Sequence, residues 1–195
     1  MNRYKITVFF AFLLFTINIL KAQDNYALST NLVTITGTST LHNWNEKVES
    51  ISGKGNVKKN ADKSLSLQSF KIIIKVNSIK SNEGSSMNNK TYKTLKADKY
   101  PEITFVLTEP VANIPYGANA YVVTTKGLLT IAGVTKPIIM PLKITLNDEK
   151  KITVDGAQQI KMTDYGMDPP TLFFGTIKVG DNITVNFKTT FSSIN

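Results

Sequence analysis

The chain has 195 residues, a formal net charge of +9, one histidine and no cysteine. The absence of cysteine excludes disulfides, thiolate metal sites and thiol nucleophiles, and a single histidine excludes paired-histidine chemistry. The basic residues are not interleaved with repeated aromatics, so no nucleic acid is expected as a partner.

Residues 1–22 read as a signal peptide. Arg3 and Lys5 precede an apolar run from Ile6 to Leu20, and Lys21-Ala22-Gln23 closes it with a small residue at the cleavage point. The run is shorter than the ~20 residues of a comfortable membrane span. It directs residues 23–195 to a periplasmic or secreted location. Arg3, Lys5 and Lys21 leave with it, so the domain keeps +6 of the formal +9. A domain of this size can be held by its core alone.

Period-two alternation then recurs along the chain. Val33 and Ile35 alternate with Thr34, Thr36, Thr38 and Thr40, and a weaker strand covers 48–57 around Gly53 and Gly55. Phe70, Ile72, Ile74 and Val76 share one face, against Lys71, Ile73 and Lys75. Beyond an interruption, Ile103, Phe105 and Leu107 alternate with Thr104, Val106 and Thr108. A long strand begins at Tyr121, Val123 and Thr125 and continues through Gly127, Leu129 and Ile131. Gly133-Val134-Thr135-Lys136 reads as a four-residue hairpin connection. Ile138, Met140, Leu142, Ile144 and Leu146 form the next face, and Ile183, Val185, Phe187 and Phe191 the last. About eight strands at hairpin spacing, without linker or repeat, predict a single all-β domain, an antiparallel barrel.

The interruption is the segment 87–105. Its spacing predicts one short α-helix around residues 86–97, with Lys90, Lys93 and Lys96 along one stripe and Met87, Thr91 and Leu95 opposite. Such a helix closes one end of a barrel with its apolar side inward. Several strands are apolar on both faces, which fits either a covered sandwich or a barrel with an apolar lumen. An eight-stranded barrel is just wide enough for one small ligand, and a filled core is the alternative.

Chemical signatures are few. His42 and Trp44 sit together near a strand end, where a hydrogen-bonded histidine and a rim aromatic account for both. Gly53-Lys54-Gly55 lacks the third glycine and the helix of a dinucleotide site. Asp164 and Asp168 bracket a turn, whose chemistry explains acidic residues without catalysis or metal. No catalytic residue, metal site or cofactor is assigned.

Three stretches carry a resemblance: YKTLKADKYPEITF (92–105), KGLLTIAGVTKPIIMP (126–141) and IKMTDYGMDPPTLFFGTIKVGD (160–181). In this order after a signal peptide, they resemble the YceI-like family across essentially the whole domain. That resemblance implies an extended, lipocalin-like barrel outside the cytoplasm, holding a long polyisoprenoid chain without enzymatic activity. Many members carry an Arg-Asp pair where this chain has Asn88 and Asn89. The expected function is therefore a non-catalytic carrier for an isoprenoid lipid of quinone or polyprenyl phosphate type. The competing reading is a secreted interaction module with a filled core. Lumen candidates are Phe70, Ile72, Ile74, Ile103, Phe105, Met140 and Leu142; polar-end candidates are His42, Tyr92, Lys93 and Tyr100. Contact with a membrane surface and a dimeric state are left open.

Overall fold

Alternation along the chain becomes twelve β-strands and one α-helix in the computed structural model, which describes residues 23–115, 117–148 and 150–194. The expected signal segment, 1–22, lies outside the described residues. In chain order the elements are β1 (Gln23–Ser39), β2 (Asn43–Val48), β3 (Ile51–Lys59), β4 (Leu65–Lys75), β5 (Ile79–Ser81), α1 (Ser85–Thr94) and β6 (Glu102–Leu107). They continue with β7 (Val111–Ile114), β8 (Gly117–Ile131), β9 (Val134–Asp148), β10 (Lys151–Lys161), β11 (Thr171–Leu172) and β12 (Ile177–Ser193).

Eight of these strands form a closed antiparallel ring, β1-β3-β4-β6-β8-β9-β10-β12, and β12 returns to β1. The closing ladder runs from Tyr26↔Ser193 to Ser39↔Val179. The remaining strands extend the wall. β2 and β3 pair with β1 in one register, Thr34↔Lys47 and Ala27↔Lys54, but part at Glu49 and Ser50. That break faces a 3-10 turn, Val76–Ser78, which separates β4 from β5. Glu49 donates its backbone N–H to the Ser78 carbonyl at 3.0 Å, and the Ser78 hydroxyl donates to the Ser50 carbonyl at 3.1 Å. The paired breaks leave β2 and β5 as a two-stranded flap that carries α1.

The break at Glu49 and Ser50 divides the strand expected over 48–57, and three further elements differ from their expected bounds. The β8–β9 connection is a two-residue turn, Ala132-Gly133, with φ of 48° and 82°. Ile131 pairs with Val134, and Thr130 with Thr135, so Val134, Thr135 and Lys136 belong to β9. Positive φ at both central residues matches the right-handed twist of the flanking strands, which favours this shorter loop. Next, β10 escaped the alternation because Gly156 and Ala157 are too small to mark a face. Last, α1 is shorter than expected and ends at Thr94, since Lys96 takes a left-handed φ of 55°.

The ring is filled at one end and hollow toward the other. Tyr26, Val57, Leu65, Ile114, Leu146 and Ile152 are almost fully buried and plug the end where β1 begins and β12 finishes. Large side chains fit inside because glycines face them across the ladder: Gly55 is paired with Phe70, and Gly156 with Phe187. A Cβ on Gly55 would lie 2.7 Å from the Phe70 ring. Gly55→Val should therefore cost about 1–3 kcal/mol, the range for overpacking a filled interior. Urea unfolding of the variant, with unchanged far-ultraviolet circular dichroism of its native state, measures this.

Candidate functional site

From the plug to the end under α1, the interior is an elongated cavity of about 260 Å³. Its wall includes Val179 near one end of β12 and Phe191 near the other. Twelve residue steps at ~3.3 Å, on strands tilted by ~40°, give a depth of roughly 30 Å. A volume of this size over such a depth is narrow, a shape that suits an extended chain rather than a compact ligand. The lining is almost wholly apolar, with aliphatic side chains from the ring strands and the aromatic rings of Phe70, Phe105, Phe187 and Phe191.

All seven lumen candidates, Phe70, Ile72, Ile74, Ile103, Phe105, Met140 and Leu142, lie on this wall. A one-residue error in strand phase would have placed them outside. Apolar residues of the opposite phase are exposed: Val122, Leu128 and Ile139 meet solvent, with no cover among the described residues. The doubly apolar strands thus combine a lumen with a partly apolar exterior.

Two elements roof the open end. Met87, Thr91 and Leu95 face the cavity from α1 and the turn after it, as the helix spacing predicts, and Lys90 and Thr94 join them. Opposite lies the segment after β10, where Met162, Met167 and Pro170 reach the cavity and Tyr165 is buried beside them. Lys96 joins the two roofs by donating its ammonium to the Gly166 carbonyl at 2.7 Å. The lysine stripe is therefore divided: Lys90 borders the cavity, Lys93 is exposed and Lys96 is a structural tie.

The polar-end candidates are not brought to the cavity wall. His42 is exposed at the β1–β2 tip, with Nε2 at 3.5 Å from Glu83 and Nδ1 at 2.8 Å from the Asn43 carbonyl. Tyr92 fastens α1 to β5: its hydroxyl lies 2.9 and 3.0 Å from the Asn77 and Ile79 carbonyls and accepts from Lys80 at 2.7 Å. Lys93 points to solvent. Tyr100 packs on Gly133, where a Cβ would come within 2.3 Å of its ring. Asp164 pairs with Lys136 at 3.3 Å, and Asp168 is exposed. No cluster of metal-ligating side chains occurs among the described residues.

The acidic residue on the cavity wall is Glu46. It is 5% exposed and accepts a hydrogen bond from the Thr91 hydroxyl of α1. Burial pushes its carboxyl above the ordinary value of 4.5; the Thr91 bond opposes this and the nearby Glu83 charge adds to it. The sequence held a usable sign: Trp44, Glu46 and Val48 occupy the inward phase of β2, so an acid stands where an apolar residue belongs. Trp44 is a cavity-lining rim residue, its Nε1 donating to the Thr38 carbonyl at 3.0 Å and its ring filling the space over Gly37.

An eight-stranded antiparallel barrel with an apolar interior beneath a helical roof is a lipocalin-like fold. Within that class the chain belongs to the YceI-like domain family, whose model matches residues 25–191. Solved structures share the fold. One is a polyisoprenoid binding domain from Saccharophagus degradans, implicated in plant cell wall breakdown; its TM-score is 0.68 at 15% identity, over 86% of this chain and 98% of that one. BcnA of Burkholderia cenocepacia gives a TM-score of 0.61 at 24% identity, over 82% and 95%. The Campylobacter jejuni YCEI protein gives 0.58 at 23%, over 77% and 85%. No curated protein sequence matches the chain.

The carboxyl groups set the response of stability to acid. Because the raised value of Glu46 exceeds that of the unfolded chain, the folded state gains stability as pH falls from above the raised value toward 4.5. Asp62 and Asp181 act oppositely. Hydrogen bonds from the backbone and hydroxyl of Ser64 and of Thr163 hold them below 3.8, so their contribution is lost as pH falls through those lowered values. Melting temperature should therefore rise on mild acidification and then fall. Glu46→Gln should remove the rise and melt about 2–4 °C higher at neutral pH, which corresponds to about 1 kcal/mol in a domain of this size. Scanning calorimetry across pH checks both.

Proposed function

We propose that this protein is a non-catalytic carrier for a long-chain isoprenoid lipid, of quinone or polyprenyl phosphate type, in the bacterial cell envelope. The observation that carries the reading is the narrow apolar channel, filled at one end and roofed at the other. A slender, flexible hydrocarbon matches its depth and width. Removing each methylene from water is worth about 0.8 kcal/mol, or ~4 kcal/mol gross for a five-carbon isoprene unit. Association costs several kcal/mol, so a tail of several units is needed for tight binding. The polyisoprenoid-binding description of the Saccharophagus degradans domain and the shared family support this assignment. The signal peptide expected over residues 1–22 supplies the route to the periplasm or the exterior. The cavity favours a carrier over the filled-core interaction module.

Loading from a bilayer requires the open end to meet one. Leu41 at the β1–β2 tip and Phe174 after β11 both project into solvent near the cavity-lining Trp44 and Pro170, and exposed Lys178 lies between their loops. The tip is joined there by Thr40, whose N–H donates to the Lys178 carbonyl at 3.0 Å. Apolar tips beside a cation suit an anionic lipid surface.

Protein expressed with its own leader in a bacterial envelope should yield, on organic extraction and mass spectrometry, a stoichiometric isoprenoid lipid. Affinity for added prenyl compounds should increase with tail length until the channel is full. Ile138→Trp, which adds bulk on the cavity wall, should keep the fold and lose the lipid. An empty extract together with no binding of added prenyl quinone or phosphate would reject the carrier.

Flotation with vesicles containing phosphatidylglycerol tests the orientation. Leu41→Glu with Phe174→Glu should abolish co-flotation while leaving binding of solubilised lipid intact.

A further inference from the structure

Most polar groups on the cavity wall are already satisfied within the barrel. Thr125 and Thr189 direct their hydroxyls to the Met140 and Val154 carbonyls at 2.9 and 3.4 Å. Gln158 donates to the Gln159 carbonyl at 2.8 Å, and Trp44 to that of Thr38. Glu46 is the exception among the buried ones. Oε1 accepts from Thr91, but Oε2 has no hydrogen-bond partner among the described residues, although the residue is 5% exposed and lines the cavity. Native proteins leave few buried polar atoms unmatched. A carboxyl oxygen without a partner, on a residue of an apolar cavity wall, marks where a ligand group belongs.

Lys90, one residue before Thr91, also borders the cavity. It makes no ion pair with Glu46 or any other described residue. The roofed end therefore presents one acid and one base, unpaired. This is a poor site for a diphosphate, whose several negative charges would meet a single cation and an opposing carboxylate. It suits an uncharged oxygen. A carbonyl accepts from the Lys90 ammonium and from Glu46 when protonated, and a hydroxyl can donate to Glu46 when ionised.

We propose that Glu46, Thr91 and Lys90 form the head-group site, and that it selects an isoprenoid with an uncharged carbonyl or hydroxyl head over a prenyl diphosphate. This rests on the carrier reading and narrows it. Glu46 sets the selection by charge, and Thr91 positions it while tying it to the helical roof.

Trp44 is the only tryptophan and lines the same end of the cavity, so its fluorescence reports occupancy there. The probes are a prenyl alcohol, a prenyl quinone and a prenyl diphosphate with one common tail. The wild type should bind the first two at least about tenfold more tightly than the diphosphate, the size of one like-charge conflict at a partly desolvated site. Glu46→Gln should bring the three within about threefold, and Glu46→Lys should favour the diphosphate, as removal and reversal of that charge require. Glu109→Gln, which removes an exposed carboxylate paired with Lys126 away from the cavity, should keep the preference; calorimetry verifies that each variant folds. A difference between alcohol and quinone arms tells which oxygen head is preferred. Wild-type affinity for the diphosphate equal to the others, or a preference unchanged in folded Glu46→Gln, overturns the head-group site and leaves the carrier standing. Failure of all three probes to bind, by fluorescence and by mass spectrometry, removes the carrier and the head-group site together.

Discussion

The fold depends on the pairing of its first strand with its last. β1 and β12 lie beside each other over nearly their full length, joining residues as far apart in sequence as Ser29 and Ser192, whose hydroxyls are 3.0 Å apart. Without this ladder the wall would have two free edges and the channel would be an open trough. With it, every ring strand has two neighbours and the interior is screened from water. The same closure brings Phe187 and Phe191 to the cavity wall, where the Phe191 ring meets that of Phe70 edge-on at 5.0 Å between centroids. Because the contact spans most of the chain, the entropy of closing that loop must be paid before the interior becomes dry.

A hollow interior persists because the wall does not need it filled. Backbone polar groups are satisfied around the ring, so the cavity surface presents almost nothing that water or a collapsing side chain must meet. Apolar burial is concentrated at the plugged end, around Leu65, Ile114 and Ile152, which gives the ring its rigidity. The inward glycines divide the two regimes. Gly55 and Gly156 admit aromatic rings to the interior without forcing the strands apart, and those rings narrow the channel.

Much of this was legible in the sequence because period two is a strict code. Phe70, Ile72 and Ile74 share a face by covalent geometry, and only the side facing inward had to be chosen. β10 was hidden for the same reason in reverse: where Gly156 and Ala157 replace larger residues, alternation loses contrast, although the backbone pairs without a break from Ile152 to Lys161. Polar contacts were harder. His42 and Tyr92 were chosen by residue type, but which of them reaches the cavity depends on how the flap and α1 are laid across the ring. Tyr92 turns to the outer carbonyls of Asn77 and Ile79, while its neighbour Thr91 turns inward to Glu46. A difference of one helical position, about 100° around the axis, decides between fastening and lining.

The roof is attached by a different physics from the wall. α1 has no buried residue and is held through side chains: Asn88 accepts the Ser81 N–H at 2.7 Å, Tyr92 meets β5 and the turn before it, Thr91 meets Glu46 and Lys96 meets Gly166. Each such bond is worth about 0.5–1.5 kcal/mol net, so the whole attachment amounts to a few kcal/mol. The ring, by contrast, is continuous ladder and apolar core. Detaching the roof leaves every ring ladder intact, whereas parting any two ring strands exposes the core. A channel whose hold on a tail grows with each carbon needs one end that yields more cheaply than the rest. The sequence supplies it by making α1 polar beside strands built of apolar alternation.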